Sequence, residues 1–222
     1  MDETVKRQTQ TARAEWLRAW KTGPVRTRWE EIPLQVGDQC PALALNDQNG
    51  IAHPLESFWS AAPTLFVFLR HFGCSATFNR LKALKDTWGE LQALGVRVVA
   101  IVQAEPERTA WFAGEQELPN VLPILCDTKR TAYKAFGLLE GTPHQVLFRF
   151  PENIVRMDQE AGAQIAEQRA QAGSPLVDSP WQMPGDFLVD TNGLVRLVSR
   201  GPNIYAFPEP IEIQAALMAG SE

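Results

Sequence analysis

The sequence predicts an α/β protein built on a mixed central β-sheet with flanking helices, and three observations predict it. Over residues 64–136, short segments rich in β-branched and aromatic residues alternate with longer amphipathic ones, the rhythm of parallel βαβ units. After them come two strand-like segments, 187–189 and 194–198, joined by Asp190-Thr191-Asn192-Gly193; this turn chemistry makes an antiparallel hairpin. The chain of 222 residues is 45% hydrophobic and 21% charged, which suits one large globular domain or a medium domain with additions.

Taken in order, the elements begin with a helix over residues 9–21. Ala12, Trp16, Leu17 and Trp20 recur there at helical spacing, and Gly23-Pro24 closes the run. Trp16 and Trp20 stand one turn apart and must bury, either on the main domain or on a second subunit. Residues 33–45, the turn 46–50 and residues 51–53 read as strand, turn and strand. Strands follow at 64–69, 97–102 and 121–125, and helices at 78–94, 107–116 and 128–136. Asp127 is the expected N-cap of the last helix and Gly137 its terminator. A polar helix is expected within 153–173, capped by Asp158 and stopped by Gly173, before the Pro-rich run 174–184. The organisation is thus an N-terminal helical extension (1–32) and a main domain (33–222) with a helical insertion at about 143–184 before the C-terminal hairpin.

Composition excludes several classes. The net charge of −5 divides into seven Lys and Arg against five Asp and Glu over residues 1–31, leaving 14 against 21 in the rest. An acidic body is the wrong partner for nucleic acid. The longest apolar stretch, 61–69, ends at Arg70, far short of the roughly 20 residues that cross a bilayer, so no membrane association is expected. The first twenty residues are charged throughout and hold no apolar signal core, so a cytoplasmic location is expected. Cys40, Cys74 and Cys126 are odd in number and widely spaced, which is no disulfide framework.

Ligands and catalytic groups of open α/β sheets gather at the carboxyl ends of the parallel strands. Those ends here are residues 70–77, 103–106 and 126–128. The first contains Arg70-His71-Phe72-Gly73-Cys74-Ser75-Ala76-Thr77, with Cys74 between a strand end and a helix start. The unpaired amides of a helix N-terminus favour a thiolate, and Arg70, His71 and Arg80 could add positive charge. The competing reading makes Cys74 a small apolar residue in a tight turn. His71 and Cys74 share the spacing of two metal ligands, yet Cys126 and His144 offer no matching pair, so no metal is expected. There is no glycine-rich phosphate loop and no G-x-S-x-G elbow.

Over about 34–198 the sequence resembles the peroxiredoxin-like (AhpC/TSA-type) family of the thioredoxin-like fold, closest to the branch related to selenoprotein U and prostamide synthase. The residues that carry the resemblance are Gly37-Asp38-Gln39-Cys40-Pro41-Ala42-Leu43, Leu45-x-Asp47-x-x-Gly50, the strand running into Arg70-x-x-Gly73-Cys74, Cys126-Asp127 before Tyr133-x-x-Phe136-Gly137-Leu138, and Pro184-Gly185-Asp186-Phe187-Leu188-Val189-Asp190-x-x-Gly193. The resemblance implies a thioredoxin-like fold and a thiol oxidoreductase whose Cys74 attacks a hydroperoxide or related substrate. It implies Arg70, His71 and Thr77 as stabilisers of the thiolate, and Phe72, Gly73, Trp181 and Pro184 as substrate contacts. No cofactor is implied.

The chain also departs from the family. Where peroxiredoxins carry P-x-x-x-T-x-x-C, this chain has Val67 and His71, and the family arginine before the penultimate strand aligns with Pro184; Arg70, Arg80 or Arg200 would have to substitute. The second position of the branch's C-x-x-C pair holds Thr77. Cys126, two strands away, is the remaining candidate for a resolving thiol. A one-cysteine cycle completed by an external thiol, thioredoxin-like or glutathione-like, is the simpler expectation. The alternative is a non-catalytic partner- or ligand-binding protein, and a homodimer through the N-terminal helix is a further expectation.

Overall fold

A computed structural model of the chain describes residues 3–116, 122–147, 151–173 and 178–219. The sequence opens with α1 (Glu3–Thr22), longer by nearly two turns than the apolar spacing predicts, because its first half is polar and exposed. The extended stretch after it leads to β1 (Ala44–Asp47) and β2 (Ala52–Pro54). Asp47 closes the turn between them by accepting the amides of Asn49 and Ile51. A short α2 (Glu56–Trp59) delivers Phe58 and Trp59 to the core, and β3 (Thr64–Phe68) follows, buried at every position.

The helix expected over 78–94 is two helices, α3 (Ser75–Asp86) and α4 (Trp88–Ala93). They part at Thr87, whose hydroxyl bonds back to the Ala83 carbonyl, a local bond that competes with the helical ladder. Then come β4 (Arg97–Val102), α5 (Pro106–Glu115), β5 (Ile124–Cys126) and α6 (Thr131–Ala135). Val121, placed at the start of the third strand by the sequence, lies outside the described residues. Asp127 is not the N-cap residue of α6, which is Arg130, yet from three residues before it its carboxylate accepts the amides of Thr131, Ala132 and Tyr133, and Gly137 ends the helix at φ +70°.

The segment before the hairpin contains α7 (Pro143–Leu147) and α8 (Glu152–Gln171). Asp158 is not the cap of α8 but lies inside it, two turns from its start, and its carboxylate is used elsewhere. β6 (Gly185–Val189), β7 (Val195–Ser199) and α9 (Pro210–Met218) complete the order.

The seven strands form one mixed sheet in the order β2-β1-β5-β4-β3-β6-β7. β5, β4 and β3 run parallel, while β1 on β5, β6 on β3 and β7 on β6 are antiparallel. Because side chains alternate along a strand, β3 sends Leu65 and Val67 into a core with Leu81, Leu84 and Phe112 on one face. On the other face Phe66 and Phe68 meet Tyr133, Phe136 and Phe187. A third cluster lies outside these two layers, where Trp16 and Trp20 of α1 pack with Ala163 and Ala166 of α8, Trp181 and Cys74. The tryptophan face of α1 is therefore satisfied within the chain. Among the described residues no helix is long and apolar enough to cross a membrane.

Candidate active site

The buried β3 and β4 leave the sheet side by side, and the Tyr133 hydroxyl ties their ends together, 2.6 Å from the Leu69 carbonyl and 3.0 Å from that of Ile101. The chain then turns through Arg70–Gly73 into α3. Cys74 has extended backbone (φ −92°, ψ 127°) at the N-cap of α3, its amide bonded to the His71 carbonyl at 3.1 Å. The sequence thus places its cysteine correctly, at a strand end and a helix N-terminus.

Arg70 reaches the sulfur. Its Nε donates to Cys74 Sγ at 3.2 Å, while Nη1 and Nη2 donate to the carbonyls of Gln182 (2.8 Å) and Pro180 (2.5 Å). Arg70 is only 2% exposed, so its planar fork is fixed on three acceptors. Of the three arginines that could replace the family's missing one, Arg70 alone touches the thiol among these contacts. Arg80 is paired with Asp186 on β6, and Arg200 donates to the carbonyls of Phe136 and Leu34.

The remaining electrostatics correct the sequence reading. Cys74 is fully buried, and burial pushes its thiol above the ordinary cysteine value; the Arg70 charge and the Ala76 amide oppose that shift, and the Asp158 carboxylate adds to it. His71 supplies no positive charge. Its ring is buried with its edge toward Trp16, 4.8 Å between centroids, and burial together with neighbouring Arg70 lowers its pKa to about 3, so it is neutral near pH 7. Among the described residues neither ring nitrogen has a hydrogen-bond partner. Thr77 does not face the sulfur as a donor either, because its hydroxyl donates to the His71 carbonyl at 3.1 Å.

The expected substrate contacts are placed apart. Phe72 stacks on Phe112 at 3.8 Å, with the Arg108 guanidinium over its ring. Gly73 abuts the backbone of Gly162 on α8. Trp181 packs on Trp20 at 5.1 Å and donates its indole N–H to the Ala19 carbonyl. Pro184 lines a separate depression of about 130 Å³ with Trp29, Gly137 and Arg200. Cys126 stands at the end of β5, with β4 between it and β3. It packs into a different core cluster from Cys74, and burial raises its thiol to about 11. Cys40, raised to about 12 by burial, is a core residue, and all three cysteines are unpaired.

What sequence reasoning missed is the cover over Cys74. Asp158 of α8 accepts the Ser75 amide (3.2 Å) and faces the Ser75 hydroxyl (3.3 Å), which lies 2.5 Å from the Tyr205 hydroxyl. Trp16 lies against Gly162 and donates to the Gln159 carbonyl at 2.9 Å. No motif signals that a helix some eighty residues downstream lies over the cysteine. No group of three or more His, Cys, Asp or Glu able to hold a metal occurs among the described residues.

The mixed sheet, with a thiol at its carboxyl edge and at a helix N-terminus, defines a protein of the thioredoxin-like fold. The chain belongs to the AhpC/TSA family, whose model matches residues 36–198. Among solved structures it is similar to a thiol peroxidase from Chromobacterium violaceum, at 21% identity over 86% of this chain and 90% of that one, with a TM-score of 0.58. It is also similar to the peroxidoxin BcpB from Mycobacterium tuberculosis (19% identity, 84% and 97% coverage, TM-score 0.58) and to a peroxiredoxin-like protein from Aquifex aeolicus (13%, 85% and 89%, TM-score 0.57). No curated protein sequence matches the chain.

Proposed function

We propose that the protein is a thiol peroxidase-like oxidoreductase in which Cys74 reduces a hydroperoxide at the expense of an external thiol. The observation that carries this reading is the Arg70 Nε contact to Cys74 Sγ. It puts a fixed cation where a thiolate and the developing oxyanion of a cleaving peroxide need one. The sulfur attacks one peroxide oxygen, the O–O bond breaks, and the departing oxygen takes the thiol's proton to leave as water or an alcohol. Sulfur is oxidised to sulfenic acid and the peroxide is reduced. One external thiol then condenses with the sulfenic acid, releasing water and forming a mixed disulfide. A second attacks that disulfide, returning Cys74 as a thiol and leaving the reductant oxidised.

A one-cysteine cycle fits the positions of Cys126 and Thr77. Residues 1–32 and about 143–184 are, in this reading, additions to a catalytic domain. The quoted motifs support placement near the selenoprotein U and prostamide synthase branch, and three unpaired cysteines support a reducing, cytoplasmic setting. The homodimer expected through the N-terminal helix loses its main support, because Trp16 and Trp20 are buried within the chain.

A second reading, a non-catalytic binding protein, is favoured by the complete burial of Cys74. The test is intact-mass spectrometry after a stoichiometric hydrogen peroxide pulse with dimedone present, on the native protein and on Cys74→Ser. A dimedone adduct confined to Cys74 supports the peroxidase. An unmodified Cys74 supports the binding protein.

A further inference from the structure

A cavity of about 350 Å³ opens between α5 and α8, a volume in the range of small-molecule sites. It shares no lining residue with the contacts of Cys74 described above. Arg108 and Trp111 stand one turn apart on α5, Ile165 and Arg169 one turn apart on α8, and Ala172 follows at the C-terminal end of α8. Each helix thus gives the cavity one face.

Two buried arginines line it, Arg108 at 7% and Arg169 at 4% exposure. The charge of Arg108 is matched, since its Nη1 and Nη2 each donate to the Asp178 carboxylate at 2.6 Å. That of Arg169 is not. Its Nε and Nη2 donate to Glu105 at 2.7 and 2.6 Å, but that carboxylate is shared with Arg108, whose Nε lies 3.6 Å from it. Nη1 of Arg169 and Nε of Arg108 have no hydrogen-bond partner among the described residues, and a buried donor without an acceptor is costly. Burial, then the charge of Arg108, lowers the Arg169 pKa, as expected for a cation short of negative charge.

The wall is apolar at Trp111 and Ile165, and Trp111 is half exposed, a large ring surface that a flat ligand would cover. Glu107, which also lines the cavity and is exposed, disfavours a ligand with a second negative charge. We propose that this cavity binds a small monocarboxylate with an aromatic body, the carboxylate held by Arg169 and the ring by Trp111 and Ile165. A carboxylate is the acceptor whose two oxygens match the edge of a guanidinium. The site is separate from the peroxidase reading, and neither depends on the other.

The test uses the full chain with isotope-labelled tryptophan indoles, and phenylacetate as the probe. Trp111→Phe identifies the Trp111 indole resonance among the seven tryptophans. Phenylacetate is expected to move that resonance saturably, at concentrations at least tenfold lower than its neutral amide, phenylacetamide, or acetate, which lacks the ring. Trp111→Ala and Ala172→Trp, both at exposed positions, remove and fill the apolar part of the cavity. Each is expected to weaken phenylacetate binding at least tenfold in isothermal titration calorimetry. Arg169→Gln is expected to abolish the preference for acid over amide.

No saturable movement of the Trp111 resonance at millimolar phenylacetate overturns the site. Equal binding of phenylacetate and phenylacetamide overturns the carboxylate as the recognised group, and binding that neither wall variant weakens overturns the placement. If Arg169→Gln fails to fold, the acid and amide comparison on the native protein decides together with the two exposed variants.

Discussion

Gly73 and Gly162 meet backbone to backbone: a Cβ on Gly73 would lie 2.6 Å from the Gly162 amide nitrogen, and a Cβ on Gly162 would lie 2.1 Å from Cζ2 of Trp16. The turn that carries Cys74, the middle of α8 and the tryptophan of α1 are thus stacked with no room for a methyl group. Real Cβ atoms do not approach backbone this closely, and a filled core tolerates added volume poorly.

Gly162→Ala is therefore expected to destabilise the fold by about 1–3 kcal/mol, because Trp16 must leave its place beside His71. Chemical denaturation with Trp fluorescence measures this. An unchanged midpoint would show that α8 is not seated on the cysteine turn.

Arg70→Met removes the donor to Cys74 Sγ and leaves the Gln182 and Pro180 carbonyls without it. Loss of an oxyanion-hole donor typically slows reaction by 10²–10³. A drop of roughly 100–1,000-fold in the rate of Cys74 sulfenic acid formation is expected by that analogy. Arg70→Lys should recover little of it, since an ammonium cannot span three fixed acceptors. Full activity in the lysine variant would mean that charge alone matters and the fork does not.

Asp158→Asn keeps an oxygen for the Ser75 amide and removes the negative charge. That charge raises the Cys74 pKa, so its loss lowers the value and increases the thiolate fraction at neutral pH. Iodoacetamide alkylation of Cys74 at pH 7.4 should accelerate, because a larger fraction of the thiol is then ionised. The pH-rate midpoint should move down. A midpoint that moves up refutes the assigned sign.

His71 links the site to the acid stability of the fold. Its pKa is about 3 in the folded chain and about 6.5 when unfolded. Between those values the unfolded chain binds the extra proton, so stability rises with pH through that window and is level above it. The ceiling of this contribution is on the order of 4–5 kcal/mol. His71→Phe should flatten the native protein's loss of stability between pH 6.5 and 4, measured by urea unfolding at each pH. Parallel curves for the two proteins would remove His71 as the cause.

Most of the sheet was legible because its strands carry their own evidence, but the first strand, expected over 33–45, is Ala44–Asp47 and takes in the start of the expected turn. The β-branched runs at 97–102 and the Asp190–Gly193 turn state their conformation locally, and Cys74 could be placed by its position between a strand and a helix. Gly137 likewise acted where its type predicted. The tertiary part of the site was not legible. Asp158 looks like a cap in the sequence, because an acidic residue near a helix start ordinarily is one, yet its partner Ser75 is 83 residues away. Arg70 was one of three candidate arginines until the carbonyls of Pro180 and Gln182 fixed its fork. The expected charge on His71 failed for a related reason: burial under Trp16 is a property of the packed helices, not of the residue.

The distance in sequence between the cysteine and its cover has a consequence for the making of the protein. A ribosome adds about 5–20 residues per second, so the 83 residues between Ser75 and Asp158 take about 4–17 s to synthesise. Throughout that interval β3 and the Cys74 turn exist while α8 does not. Every newly made copy therefore passes through a stage in which Cys74 lacks the cover that α8 gives it in the finished fold.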